Sequence, residues 1–429
     1  MFEFILTPVT KFVEYVNNLN EAYNKLTFEE QKAMTFFERI QYYNWTFEMY
    51  CILLMLFFYI TYKIGVSINI SKGDKLFNSL HSYLKNELKF ARVGLTSLKD
   101  GKHINNKSYL DQHSHTWLTS FATGRSSIDS INIKAHLRPR HNLTNLIIEY
   151  ILSYFFSTYQ SPDLIEYLEI EIKPNGIYVN SETSNINSNS KQILQHFRFV
   201  TSIVNKSVMD KARLDRYFLS LTHVTDSDSI PKEYVYMSEI NQINDFIKSY
   251  TRGSFNDEVL CKASGFLQFI SFTDLPDFRP RDKDNWIQSL QPRCVIRADI
   301  PRNQDELNIL NKLVGSMVEV YDNYTRDLVQ KSDKVVITPE ILRKISTLRQ
   351  NEVNRIDKIA KQIELEAAKE EKKELMKEKR REMKKTGELQ NKEQKMREKR
   401  ERRLRNKQRQ RMTQWRQCYM KRNAKRERE

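Results

Sequence analysis

Between Met49 and Ile60 every side chain is aliphatic, aromatic or the thiol of Cys51, and the nearest charges are Glu48 and Lys63. A stretch like this must be covered all round, by a protein core or by hydrocarbon. A helix rises about 1.5 Å per residue and needs about 20 residues to cross a hydrocarbon layer of roughly 30 Å. Taken as 45–66, with Trp45 and Tyr62 as interfacial rings and Lys63 snorkelling outward, the window reaches that length. A buried core helix also fits the composition, but no other segment offers enough apolar surface to wrap it. The reading is a transmembrane helix that carries Met49, Leu53, Leu54, Phe57 and Phe58.

Charge sets its direction. Residues 1–47 hold four Lys or Arg against six Glu, whereas Lys63, Lys72, Lys75, Lys85, Lys89, Arg92 and Lys99 follow the span. The positive-inside rule therefore expects a single pass, with residues 1–44 luminal or outside and the C-terminal side cytosolic. MFEFILTPVTK has no basic n-region, so the span itself is expected to act as the targeting signal. Phe12, Val13, Tyr15 and Val16, then Phe28, Met34, Phe36, Phe37 and Ile40, recur at helical spacing. An amphipathic luminal segment on the membrane surface and a loosely ordered leader both fit that pattern. Asn44-Trp45-Thr46 matches a glycosylation acceptor but lies at the membrane surface, where it is expected to stay unused.

The chain carries a net charge of +16, and residues 351–429 alone carry +14, so the basic character belongs to a tail. That asymmetry argues for an anionic partner at one end. The four cysteines, Cys51, Cys261, Cys294 and Cys418, are far apart and read as free thiols.

From the span onward, Lys72–Leu95 reads as a helix of its own, followed by turn formers and a polar stretch up to Gly124-Arg125. Alternation predicts strands over 128–137 and 168–173, the second turning at Pro174-Asn175-Gly176 into Ile177–Val179 as a hairpin. Leu143–Phe156 is nearly all apolar and is expected to be a helix buried against a sheet. Residues 181–191 form a polar loop. Helices are expected over Gln192–Val204, Ser207–Leu221 and Ile240–Tyr250, strands over Phe266–Phe272 and Arg293–Ile300, and an amphipathic helix over Asn303–Val329. Together these predict a cytosolic α/β or α+β globular domain over 72–335.

Thr338-Pro339 is a helix start, an N-cap followed by Pro in the first turn. Residues 338–429 are nearly all strong helix formers, with an apolar stripe through Ile345, Leu348, Ile356, Ile359 and Ile363 that fades by Ala368. No heptad seam is sustained beyond it, so the expectation is a long solvated charged helix, supported by local Glu–Lys pairs and bent at Thr386-Gly387.

No Walker loop, HExxH, G-x-S-x-G or glycine-rich dinucleotide turn occurs, and the chain has only ten glycines. No catalytic residue, metal site or cofactor is expected. His113 and His115 lack the further ligands a metal site needs, and Gly124-Arg125 reads as a structural turn. The strongest signal is the basic terminus: Lys399, Arg400, Arg402, Arg403, Arg405, Lys407, Arg409, Arg411, Arg416, Lys421 and Arg422. On a helix this density covers several faces, which suits a phosphate backbone gripped by charge rather than by base reading. Ribosomal RNA is the expected partner of such an arm at the endoplasmic reticulum, with an anionic membrane surface or a solvated helix that binds nothing specific as the alternatives. Trp415 could stack on a base or dock in a groove, and Tyr419 extends its small amphipathic patch.

The order of these elements resembles the calumin family, the coiled-coil-domain-containing PAT complex subunits of the multipass translocon. The stretch GRSSIDSINIKAHLRPRHNLTNLIIEYI (124–151) resembles that family's Gly-Arg, strand, Leu-x-x-Arg and Asn-Leu helix block. FISFTDLP (269–276) resembles its Phe-Ser-Asp segment, with Thr273 where the family pattern has Ser, and 293–301 resembles its strand ending in Pro. The resemblance covers about 45–429. It implies an endoplasmic reticulum membrane adaptor and intramembrane chaperone subunit, working with an Asterix-like small membrane protein, the Sec61 translocon, the ribosome and nascent multipass membrane proteins. The family's acidic calcium-binding luminal region has no counterpart in residues 1–44, which hold six Glu and no Asp. A membrane-anchored scaffold whose charged helix binds another protein is the alternative.

Overall fold

The computed structural model describes residues 25–426 except 95–97, 100–101, 104–107, 114, 157–163, 180–188, 252, 331–334 and 386–387; before residue 25 it describes Lys11, Glu14, Tyr15, Asn18 and Glu21. The expected pattern at Phe12, Val13 and Val16, the polar loop over 181–188, and the Thr386-Gly387 bend lie outside the described residues. Helices, in chain order, are α1 (Phe28–Ala33), α2 (Phe36–Tyr42), α3 (Thr46–Asn86), α4 (Leu143–Phe155), α5 (Ser190–Gln195), α6 (Met209–Asp215) and α7 (Tyr217–Ser220). They continue with α8 (Phe246–Tyr250), α9 (Asp257–Ala263), α10 (Lys283–Ser289), α11 (Gln304–Val329), α12 (Pro339–Lys385) and α13 (Glu388–Arg426). Strands are β1 (Arg92–Val93), β2 (Leu98–Lys99), β3 (Lys102–His103), β4 (Leu110–Gln112), β5 (Trp117–Thr123) and β6 (Ile128–His136). The remainder are β7 (Tyr167–Pro174), β8 (Thr201–Asn205), β9 (His223–Thr225), β10 (Tyr234–Ser238), β11 (Leu267–Thr273) and β12 (Arg293–Ala298).

The chain divides into two compact units, 1–279 with 288–348, and 280–287 with 349–429. The first is built on a ten-stranded sheet in the order β1-β5-β6-β7-β12-β11-β8-β10-β9, with β4 sharing the outer edge of β5. Every pairing is antiparallel, which makes the mixed α/β domain an α+β one. Amphipathic α11 covers it: Leu307, Leu310, Leu313, Val314, Met317, Val318 and Tyr321, the stripe read from sequence, are all buried. The Tyr321 ring lies 5.3 Å from that of Phe272 on β11 and 5.4 Å from Phe197.

Several expectations are corrected. Span and following helix are one unbroken helix, α3, which ends at Asn86 rather than Leu95. Lys89 adopts a left-handed backbone there, and the Phe90 N–H reaches back to the Leu84 carbonyl at 3.0 Å, closing the helix. Among the described residues no hairpin follows β7, whose two edges are taken by β6 and β12. Gly176 does turn the chain, with φ +69°, and an added Cβ would lie 2.7 Å from the Ser190 carbonyl. The helix expected over Gln192–Val204 stops at Gln195, and 201–205 is instead the central strand β8. The stretch expected as one helix over Ser207–Leu221 is broken by extended backbone at Arg216. Strands β5, β9 and β10 were not foreseen. Most consequential, α4 is not buried against the sheet: Glu149 is its one buried residue.

The second unit contains most of α12 and all of α13. Where α12 begins, Thr338 Oγ1 accepts from the Ile341 N–H at 3.5 Å, in keeping with the cap read from sequence. Along α12 the apolar positions turn outward by Ile363 and Leu365. The distal arm is thus two helices of 47 and 39 residues, about 70 and 58 Å long.

Candidate functional site

Helix α3 changes environment along its length. Met49, Leu53, Leu54, Phe57 and Phe58 are 44–65% exposed, and the apolar side chains between them point outward on every side. From Gly65 onward a single stripe is buried: Gly65, Asn69, Gly73, Leu76, Phe77, Leu80, His81 and Leu84. Small residues let the domain come close. A Cβ on Gly73 would sit 2.6 Å from Leu118 Cδ1, and one on Gly65 would overlap the Arg140 carbonyl. Tyr109 stacks on Phe77 at 4.7 Å and donates its hydroxyl to Asp74 at 2.7 Å, and Asn311 of α11 donates to Ser79 at 3.0 Å. Among the described residues α3 is the one helix long and apolar enough to cross a membrane.

At the boundary between these halves, the loop 138–142 is clamped across α3. Asn69 donates to the Arg138 carbonyl at 3.0 Å and accepts from Arg140 at 2.9 Å. Glu166 closes the arrangement, pairing with Arg140 at 2.5 Å and Lys72 at 3.1 Å. Burial alone would raise its carboxyl pKa, but the Arg140 and Lys72 cations outweigh burial and hold it at about 2. His141 meets Tyr62 edge to face at 6.1 Å. Beside the clamp opens a cavity of about 440 Å³, lined by Lys72, Lys75, Arg138, Glu166, Asp299 and Arg302 among others.

The loop leads directly into α4. Asn142 caps it by accepting from the Asn145 N–H at 3.1 Å, and the Asn145 side chain donates to Glu149 at 2.6 Å. The helix packs on α3. Its sheltered side carries Asn145, Leu146, Glu149 and Ser153, while Thr144, Ile147, Ile148, Ile151, Leu152, Tyr154 and Phe155 stand exposed. This reverses the usual amphipathic order of a soluble helix. Nothing at sequence level separates a helix hidden in a core from one facing outward.

The basic residues singled out from the sequence all lie on α13. Lys399, Arg400, Arg402, Arg403, Arg405, Lys407, Arg409, Arg411 and Arg416 are exposed, as is Trp415, and they encircle the helix rather than forming one stripe. Tyr419, Lys421 and Arg422 fall on the same helix, with side chains outside the described residues.

Comparison with known proteins then decides the family. The profile of the family described as PAT complex subunit CCDC47 matches residues 44–407. The chain belongs to this family. It is 47% identical over 364 residues to a UPF0674 endoplasmic reticulum membrane protein of Saccharomyces cerevisiae, covering 85% of this chain and 88% of that protein. A second UPF0674 endoplasmic reticulum membrane protein, from Schizosaccharomyces pombe, is 24% identical over 301 residues, 70% of this chain and 71% of that one.

The family is described as a subunit of the PAT complex, and no group of three or more metal-capable side chains occurs among the described residues. The polar features that could suggest chemistry hold the fold together. Arg125, the Arg of the Gly-Arg pair, bonds Asp322 of α11 at 3.2 Å and also donates to the Leu88 carbonyl, while Gly124, at φ +98°, passes close to Ala91. On the sheet, Glu169 pairs with Arg216 and Arg297, and Asp277 pairs with Arg216 at 2.9 Å and Arg293 at 3.2 Å. Each of these carboxylates is matched by a guanidinium. His113 and His115 lie in a turn with positive φ, where His115 pairs with Asp111.

Proposed function

We propose that the chain crosses the endoplasmic reticulum membrane once through 45–66, with residues 1–44 luminal, the 72–335 domain in the cytosol and the 338–429 arm reaching the ribosome. Family membership makes it an endoplasmic reticulum membrane protein of the PAT complex class, an adaptor in multipass membrane protein biogenesis. The observation that carries the finer reading is α3, apolar all round over one half and locked into a folded domain over the other. Such a helix holds the domain against the membrane surface, near the Sec61 channel. The span has no polar side chain at its centre, so an Asterix-like small membrane protein supplies the surface that receives semipolar client segments. Charge encircling α13 fits ribosomal RNA, whose phosphates can be met from several sides.

Two experiments test this reading. Native purification from endoplasmic reticulum membranes, with crosslinking to nascent multipass proteins, should recover ribosomes and a small membrane partner; recovery of neither overturns it. Replacing Arg400, Arg402, Arg403 and Arg405 with Glu should abolish ribosome recovery, and in the parent protein recovery should fall steeply as salt rises. Unchanged recovery with the four Glu residues would instead favour a scaffold that docks through protein contacts around Trp415.

A further inference from the structure

The geometry points to a second membrane element: α4, Leu143–Phe155, lies in the cytosolic leaflet beside the span, with its exposed apolar arc in lipid. This rests on the transmembrane reading of α3. Soluble proteins rarely display a contiguous apolar patch beyond a few hundred Å², yet Ile147, Ile148, Ile151, Leu152, Tyr154 and Phe155 are all exposed on one short helix. The helix contains one charged residue, Glu149, and that residue is turned inward, 9% exposed, with Asn145 donating to it. Asn145, Glu149 and Ser153 face protein, with half-buried Leu146 beside them, and apart from Thr144 in the first turn the exposed arc is apolar or aromatic, the arrangement expected when the surroundings are hydrocarbon.

Position selects lipid over a protein partner as the occupant. The loop entering α4 is fixed at the level where α3 leaves its apolar half: Arg140 backbone against Gly65, Arg140 and Arg138 bound to Asn69, and His141 against Tyr62. Any bilayer that covers Met49–Ile64 therefore meets the start of α4. Arg138, Arg140 and His141 then sit at headgroup depth, with Tyr150 and Tyr154 as interfacial rings. At 13 residues the helix is about 20 Å long, too short to cross a core of roughly 30 Å. It is suited to immersion in one leaflet.

The test uses the full-length protein with Cys51, Cys261, Cys294 and Cys418 replaced, checked for retained protease resistance, in phosphatidylcholine–phosphatidylserine vesicles. A fluorophore is attached in turn at Ile148→Cys, Ile151→Cys and Phe155→Cys, with Leu54→Cys on the span and Leu214→Cys on exposed α6 as references. Quenching by nitroxide lipids labelled high on the acyl chain is compared with quenching by aqueous iodide. All three α4 sites should be blue-shifted and quenched by lipid but not by iodide, with Leu214→Cys the reverse. If Leu54→Cys answers to lipid while the α4 sites answer to iodide, this proposal alone falls. Shielding of the α4 sites from both quenchers would place protein there and also overturn it. If Leu54→Cys itself escapes lipid quenching, the transmembrane reading fails first.

Discussion

The two halves of α3 obey different rules although they are one helix. Over Met49–Ile60 the apolar side chains, half-buried Cys51 apart, stand exposed around the whole circumference. From Gly65 to Leu84 only one stripe is buried, yet each of its positions is individually constrained. What matters in the first half is the sum of hydrophobicity; in the second it is shape. A bilayer tolerates exchange among apolar side chains, whereas a close-packed core registers single methylene groups.

Charge should break this comparison most sharply. Leu80→Asp buries a carboxylate without a partner and should leave no protease-resistant domain, while Leu54→Asp should leave the domain folded but release the protein from membranes in a carbonate wash. Recovery of a protease-resistant domain from Leu80→Asp would erase the distinction. Truncation sharpens it: Leu80→Ala should cost about 2–5 kcal/mol, read as a lower Tm of the full-length protein in detergent, and Leu54→Ala should change Tm by no more than about 0.5 kcal/mol allows.

At the junction, Gly65→Val forces the Arg140 backbone away from the helix, an overpacking cost of about 1–3 kcal/mol. Limited proteolysis between Arg138 and Asn142 should accelerate while the sheet stays protected.

A further effect concerns pH. His81 sits between Ser108 and Ser120, at 2.8 and 2.7 Å, and burial lowers its pKa to about 4 from an ordinary 6.5. Above pH 6.5 neither state carries its proton and the domain keeps its full stability. As pH falls from 6.5 towards 4, the unfolded chain binds a proton that the folded one refuses, so stability declines; below about 4 this residue adds no further loss. His81→Gln should flatten that slope in Tm against pH.

Much of the architecture was readable where strands bury one face. The alternation along β6 and β7, and the apolar stripe of α11, state their orientation residue by residue. Strands β8 and β10 are buried along their whole length, and without alternation TSIVN passed for the end of a helix. In β5 the buried face carries Leu118, Ser120 and Ala122, too small and polar a set to announce a core. Sequence alone also marked where α3 is apolar but not that it continues unbroken into the domain, since Gly65 and Gly73 look like helix breakers until the surfaces packed on them are seen. The fate of α4 could not be read at all, because the same apolar letters satisfy protein and lipid. The basic arm was legible as charge, and its partner remains a matter for the salt and mutation tests above.

Because no break interrupts the hydrogen bonds from Thr46 to Asn86, the proposed span and the folded domain share one helix with no swivel between them. The helix behaves as an axle of about 60 Å, so tilting it by about 5° sweeps its far end sideways by roughly 5 Å. On the proposed topology, any change in the tilt of the span becomes a change in the angle at which the whole sheet is presented.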